Sequence, residues 1–170
     1  MRQIRRKAKA AETAAPASLD AIDRKILNAL QDDNQLTNLK LADRVGLSAP
    51  ACLRRVRRLR TAGVIIKDVA LVDPAKVGQT VIAFVGVELD RQREDVLASF
   101  EAKIAKEPQV QQCYFVSGEI DYLLVVACKD IDSYNAFARR VLANEHNIKC
   151  FRTSFNLARI KAETKIPLEA

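Results

Sequence analysis

Tryptophan is missing from the 170 residues, and histidine and methionine occur once each. The lone His146 is not spaced to join a cysteine pair as a zinc ligand set. Beside Asn144 and Asn147, ahead of the last strand-like segment, it reads as a surface residue. Four cysteines are present, Cys52, Cys113, Cys128 and Cys150, and none forms a CxxC pair. The last three sit in apolar, strand-like segments, as small buried hydrophobes of a reducing compartment do. No glycine cluster forms a phosphate-cradling loop, and no Ser/His/Asp set is present. An enzyme is therefore not expected, nor a metal or cofactor. No apolar run approaches the roughly 20 residues of a membrane helix. The opening MRQIRRKAKAAETAAPA is basic and lacks the apolar centre of a secretory signal, so a cytoplasmic protein with no membrane partner is expected.

What is present is a core-forming apolar fraction of 49% and a net charge of +7. The charge is uneven. Residues 1–70 carry 15 Lys+Arg against 7 Asp+Glu, while residues 71–170 carry 13 against 14. A basic half joined to a near-neutral half points to a polyanion-binding module attached to something else.

Four segments follow from patterning. Residues 1–17 read as a disordered basic arm. Residues 18–72 hold three short helices. The first opens near Ser18 or Asp20 and buries Ile22, Ile26, Leu27 and Leu30. The second runs from about Asn38 with Leu39, Ala42 and Val45 on its buried face. The third follows Gly46, Leu47 and Ser48, with Ser48 as its cap and Pro50 in its first turn. After Gly63 the period changes from helix to strand, and Val64–Ile66 with Val69–Val72 predict a small two-stranded wing. Residues 73–79 form a linker opening on Asp73 and Pro74. Residues 80–170 alternate β-α-β-β-α-β: strand 80–89, helix 93–106, strands 110–116 and 122–128, helix 131–143 and strand 148–159. The fold class is α+β, with a winged helix-turn-helix ahead of a ferredoxin-like antiparallel sheet that carries both helices on one face.

The third helix carries the chemistry. It holds five arginines between Arg54 and Arg60. Adjacent like charges repel unless a polyanion offsets them, and the planar arginine fork suits guanine edges and phosphates. On a helical wheel Cys52, Leu53, Val56 and Leu59 gather on one side, with Ala49 nearby, and Ala51, Arg54, Arg55 and Arg58 fall opposite. Ser48, Ala49, Pro50 and Ala51 form the first turn, aimed at the groove of double-stranded DNA. Ser48, Ala51 and Arg55 are expected at base edges, and Arg54 and Arg58 on phosphates. Arg57 and Arg60 fall nearer the flank, with an acid of helix 1 or 2 as an alternative partner for Arg60.

The segment GLSAPACLRRVRRLRTAGVI, preceded by LDAIDRKILNALQDD, resembles the winged helix-turn-helix of the Lrp/AsnC family of transcription regulators. The family pattern is met by Leu19, Asp20, Asp23, Gly46, Leu47, Ser48, Arg54, Arg55, Val56 and Leu59. Arg60 departs from it, standing where the family usually has an acid. The resemblance implies an ACT-like second domain that forms a homodimer, often assembles into octamers, and binds a small-molecule effector, usually an amino acid. Its signature falls on the hairpin Gly118, Glu119, Ile120 and Asp121. Glycine admits close backbone approach, and Asp121 supplies charge for an α-ammonium. Thr153 matches a further family position, and Phe151 stands where a threonine is often found, narrowing the pocket. Apolar alternation on both faces of strand 80–89 agrees with a second copy covering the open sheet face.

The resulting expectation is a sequence-specific regulator that responds to a small molecule bound between ACT-like domains. The main alternative is an architectural DNA-binding protein with weak sequence preference and no obligatory ligand, which the basic stretch Arg2–Lys9 favours. An enzyme regulatory subunit with an ACT-like module is a third.

Overall fold

The computed structural model describes residues 18–169, so the expected arm at 1–17 lies outside the described residues. The chain divides into two compact units, one running to Ala70 and rejoined by the segment from Lys161 onward, the other spanning Leu71–Ile160. Residues 161–169, expected with the second domain, make their contacts with the first unit.

The first unit contains α1 (Ala21–Asp32), α2 (Asn38–Val45) and α3 (Ala49–Thr61). Asp20 caps α1 in a reciprocal box: the Asp23 N–H donates to the Asp20 carboxylate at 2.7 Å and the Asp20 N–H to Asp23 at 3.3 Å. Thr37 caps α2, and Gly46 closes it at φ 72°, a left-handed conformation that glycine enters without penalty. The core joins Ile26, Leu27 and Ala29 to Leu41, Ala42, Val45, Cys52, Val56 and Leu59. Ile22 and Leu30, expected inside, are part-buried at its margin.

Two expected core residues face out. Leu39 is 64% exposed and Leu53 37%. Each lies about 100° of rotation from the centre of its helix's buried stripe. Leu41, Ala42 and Val45 form that stripe on α2, and Cys52, Val56 and Leu59 on α3.

The wing also differs. Residues 64–72 contain no strand pairing. A two-stranded ribbon is marginal on its own, and Ile66, Val69, Leu71 and Val72 are exposed, so no face of it is buried. Val64 and Ile65 instead pack on the helical core, their N–H groups donating to the Leu59 carbonyl. The C-terminal segment lies on α1: Asn28 Nδ2 donates to the Leu168 carbonyl at 3.0 Å and Gln31 Nε2 to the Ile166 carbonyl at 3.0 Å, and Leu168 joins the core margin.

The second unit opens with a short 3-10 turn at Ala75–Val77. Then come β1 (Val81–Leu89), α4 (Glu94–Ile104), β2 (Val110–Phe115), β3 (Tyr122–Cys128), α5 (Ile131–Phe137), continuing as a π-helical turn through Ala138–Ala143, and β4 (Ile148–Phe155). The sheet order is β2-β3-β1-β4 with every neighbour antiparallel, the ferredoxin-like arrangement. Ala83, Val85, Val87, Tyr122, Leu124 and Val126 face both helices, meeting Leu97, Phe100 and Ile104 of α4 and Tyr134, Phe137, Val141 and Leu142 of the second helix. The opposite face carries Ile82, Phe84 and Gly86, paired across with Ala127, Val125 and Leu123. Phe84 stands exposed on that face, Ile82, Leu123 and Val125 are half-buried and Ala127 is buried, so among the described residues the helices cover just one sheet face.

Candidate functional site

The first candidate surface is the start of α3. Gly46 turns the chain, and Ser48 enters α3 in extended conformation. Its side chain makes no capping hydrogen bond, contrary to expectation, and Pro50 has no N–H to offer; the helix opens with Cys52 N donating to the Ser48 carbonyl at 2.9 Å. Ser48 and Pro50 are exposed, and Ala49 and Ala51 half-buried. Asn38 Nδ2 donates to the Ala49 carbonyl at 2.8 Å, fixing the start of α3 to that of α2.

The arginines divide differently from expectation. Arg55 does not face outward. Its Nη1 donates to Asp20 Oδ2 at 2.6 Å and to Asp23 Oδ1 at 2.9 Å. Arg58 Nη2 donates to the other Asp23 oxygen. The Asp23 side chain is wholly buried between them. The reason is in the wheel: Arg55 lies three residues after Cys52 and four before Leu59, on the edge of the buried stripe. The backbone N–H of Asp23 and then the Arg55 guanidinium hold the Asp20 carboxyl below the usual carboxylate range. Arg60 pairs at 3.0 Å with Asp68, in the segment after α3 rather than on helix 1 or 2. Arg54 and Arg57 are exposed and have no ion-pair partner among the described residues.

The second candidate surface is the β2–β3 hairpin. Gly118 adopts φ 128° and, with Glu119, stands exposed. Ile120 lies over Gly86 of β1, where a Cβ would come within 3.2 Å of its Cδ1 and Cγ2, so the missing side chain is what admits it. Asp121 is buried and anchored. Its N–H donates to the Val87 carbonyl at 2.8 Å, and its carboxylate accepts from Leu89 N at 2.7 Å and Gln92 Nε2 at 2.6 Å. Asp121 is thus first a brace between the hairpin and the end of β1.

Thr153 does not join the hairpin. It pairs with Val85 on the helix-facing side, and its hydroxyl is hydrogen-bonded to the Tyr134 hydroxyl. Phe151 packs on the same inner core. The strand residue that shares the open face with Ile120 is Arg152, exposed and paired with Gly86. Sequence reading passed over it, although the period of two that places Thr153 inward places Arg152 outward.

Residues 19–66 match a family described as winged helix-turn-helix DNA-binding, and residues 82–166 match the Lrp/AsnC ligand binding domain. The chain belongs to the Lrp/AsnC family. A leucine-responsive regulatory protein of Rhizobium meliloti is 41% identical over 150 residues, 88% of this chain and 96% of that protein. The Escherichia coli protein of the same description is 35% identical over 151 residues, covering 89% and 92%. Among solved structures, a Neisseria meningitidis transcriptional regulator in complex with L-Met superposes with TM-score 0.83 at 37% identity, covering 88% of this chain and 97% of that one. An AsnC family regulator from Agrobacterium tumefaciens gives 0.83 at 38%, with the same coverage. As an Lrp/AsnC protein the chain is a DNA-binding transcription regulator with a ligand-binding domain, not an enzyme. No helix of the described residues is long and apolar enough to cross a membrane.

Proposed function

We propose that this regulator binds DNA with sequence preference and responds to an amino acid held at the Gly118–Asp121 hairpin, between the ligand-binding domains of a homodimer in the cytoplasm. One observation carries the reading. In a ligand-binding domain, Gly118 and Glu119 stand exposed on a hairpin that Asp121 braces from below. The Neisseria relative in complex with L-Met supports an amino acid as the effector class. The exposed backbone around Gly118 can approach a carboxylate closely, and the exposed Arg152 adds a cation. Asp121 offers the α-ammonium a charge, with the Gln92 amide as the partner that yields. The open apolar face of the sheet, around Phe84 and Val125, is the surface a second copy would cover. The two reading heads would then address half-sites about 34 Å apart or a multiple of that.

At the DNA, Ser48, Ala49, Pro50 and Ala51 face the groove, and Arg54 with Arg57 meets phosphates. A thermal-shift series with the twenty amino acids tests the effector. A ligand that binds the folded state raises the melting temperature by mass action. No shift with any of them overturns the amino-acid reading.

A further inference from the structure

We infer that Asp20 and Asp23 set the DNA specificity of the reading head by withholding two arginines of α3 from the phosphate backbone. Of the five arginines on α3, Arg55 and Arg58 are bound to this acid pair at the start of α1, where only Asp23 is buried. Asp20, Asp23, Arg55 and Arg58 together carry no net charge. Asp23 is fully buried, and both of its oxygens are occupied, one by Arg55 and one by Arg58 with the Asp20 N–H. Asp20 uses one oxygen to cap α1 and the other to hold Arg55.

The consequence follows from how proteins hold DNA. Attraction to phosphates is independent of sequence and supplies essentially all non-specific binding, whereas base contacts carry the information. A helix with five unpaired arginines would bind any duplex strongly and erode the ratio of specific to non-specific affinity. Pairing Arg55 and Arg58 with α1 leaves Arg54 and Arg57 to attract phosphates. The same ion pairs fix the rotation of α3 about its axis, and with it the direction of Ser48 and Ala51. Asp20 and Asp23 are positioning residues that touch no DNA.

The test is the salt dependence of binding to two 40-base-pair duplexes, one of random sequence and one enriched from a randomised pool. Asp20→Asn is the decisive variant, because asparagine caps a helix about as well as aspartate and only the charge is lost. Asp20→Asn should bind the random duplex more tightly, with a log-log salt slope steeper by up to about 0.9 for each Arg55 loosened, the one arginine that Asp20 holds and shares with Asp23. The preference for the enriched duplex should fall. Adding Arg55→Gln to Asp20→Asn should return the slope to that of the unaltered protein, a reversal that a merely structural role for Asp20 would not produce. Asp23→Asn should act in the same direction and more strongly. If circular dichroism shows it unfolded, Asp20→Asn decides alone. An unchanged slope on the random duplex overturns the inference, and so does weaker binding to both duplexes by folded Asp20→Asn.

Discussion

Asp121, expected to supply charge for an α-ammonium, has its carboxylate engaged inside the second unit. Its carboxylate satisfies the buried N–H of Leu89 and the Gln92 amide. Asp121→Ala should therefore destabilise the second unit by about 1–3 kcal/mol, the penalty of a buried donor left without its partner, seen as a lower urea midpoint even without effector. A second expectation concerns acid. Asp20 is held low by the Asp23 N–H and then Arg55, Asp32 by Lys165, Glu88 by Lys149, Glu107 by Arg140 and Asp130 by Ser133. A carboxyl whose folded pKa is depressed stabilises the fold above its ordinary value and loses that contribution as pH falls through the lowered one. The urea midpoint should hold steady above about pH 5 and drop steeply below about pH 4. The thiols shift the other way. Burial, aided by the Glu101 carboxylate, pushes Cys113 up to about 11, and burial also raises Cys52 and Cys128. Cys113 lies on the edge strand β2, exposed as a residue, yet at pH 8 iodoacetamide should label it more slowly than a free cysteine peptide.

At the scale of elements, α2 offers a direct contrast. Leu41 is buried and Leu39 exposed, although only two positions separate them. Leu41→Ala should cost about 2–5 kcal/mol, as core leucine truncations do, whereas Leu39→Ala should stay within about 0.5 kcal/mol. Equal losses on chemical denaturation would mean that α2 is rotated. On β1, Gly86→Ala brings a methyl group against Ile120. The hairpin must then shift by a few tenths of an ångström, so effector affinity should fall more than stability does. The helix starts were legible near Asp20, Asn38 and Ile131, and in the structure Asp20, Thr37 and Asp130 cap those helices with partners three residues on. The wing was not legible. Val64–Ile66 and Val69–Val72 have strand composition, but a ribbon needs a buried face, and only Val64 and Ile65 found one on the helices.

For the whole molecule, the two separate cores imply separable unfolding. All three tyrosines, Tyr114, Tyr122 and Tyr134, lie in the second unit, and the chain has no tryptophan. Near-UV circular dichroism therefore follows the ligand-binding unit, while the 222 nm signal follows helices of both. The two should report different urea midpoints, and an added effector should move the near-UV midpoint more. A dimer making roughly 6–10 phosphate contacts should show a log-log salt slope of about −5 to −9 on DNA, and a slope near zero would sink phosphate-driven binding.

Taken alone, the sequence determined the order of elements outside the wing, the basic charge of the first half and the β-α-β-β-α-β pattern. Those depend on local periodicity, caps and composition, which a chain carries wherever it folds. Tertiary structure decided which groups meet. Asp23 lies 32 residues before Arg55 and reaches it only because α1 and α3 pack on one core. Thr153 turned inward to Tyr134 because β4 pairs with β1 in one register, and the same register set Arg152 outward beside Gly86. Partner choice across such separations depends on the packing of whole elements, so the wheel could set Arg55 at the edge of the buried stripe but could not name Asp20 and Asp23 as its partners.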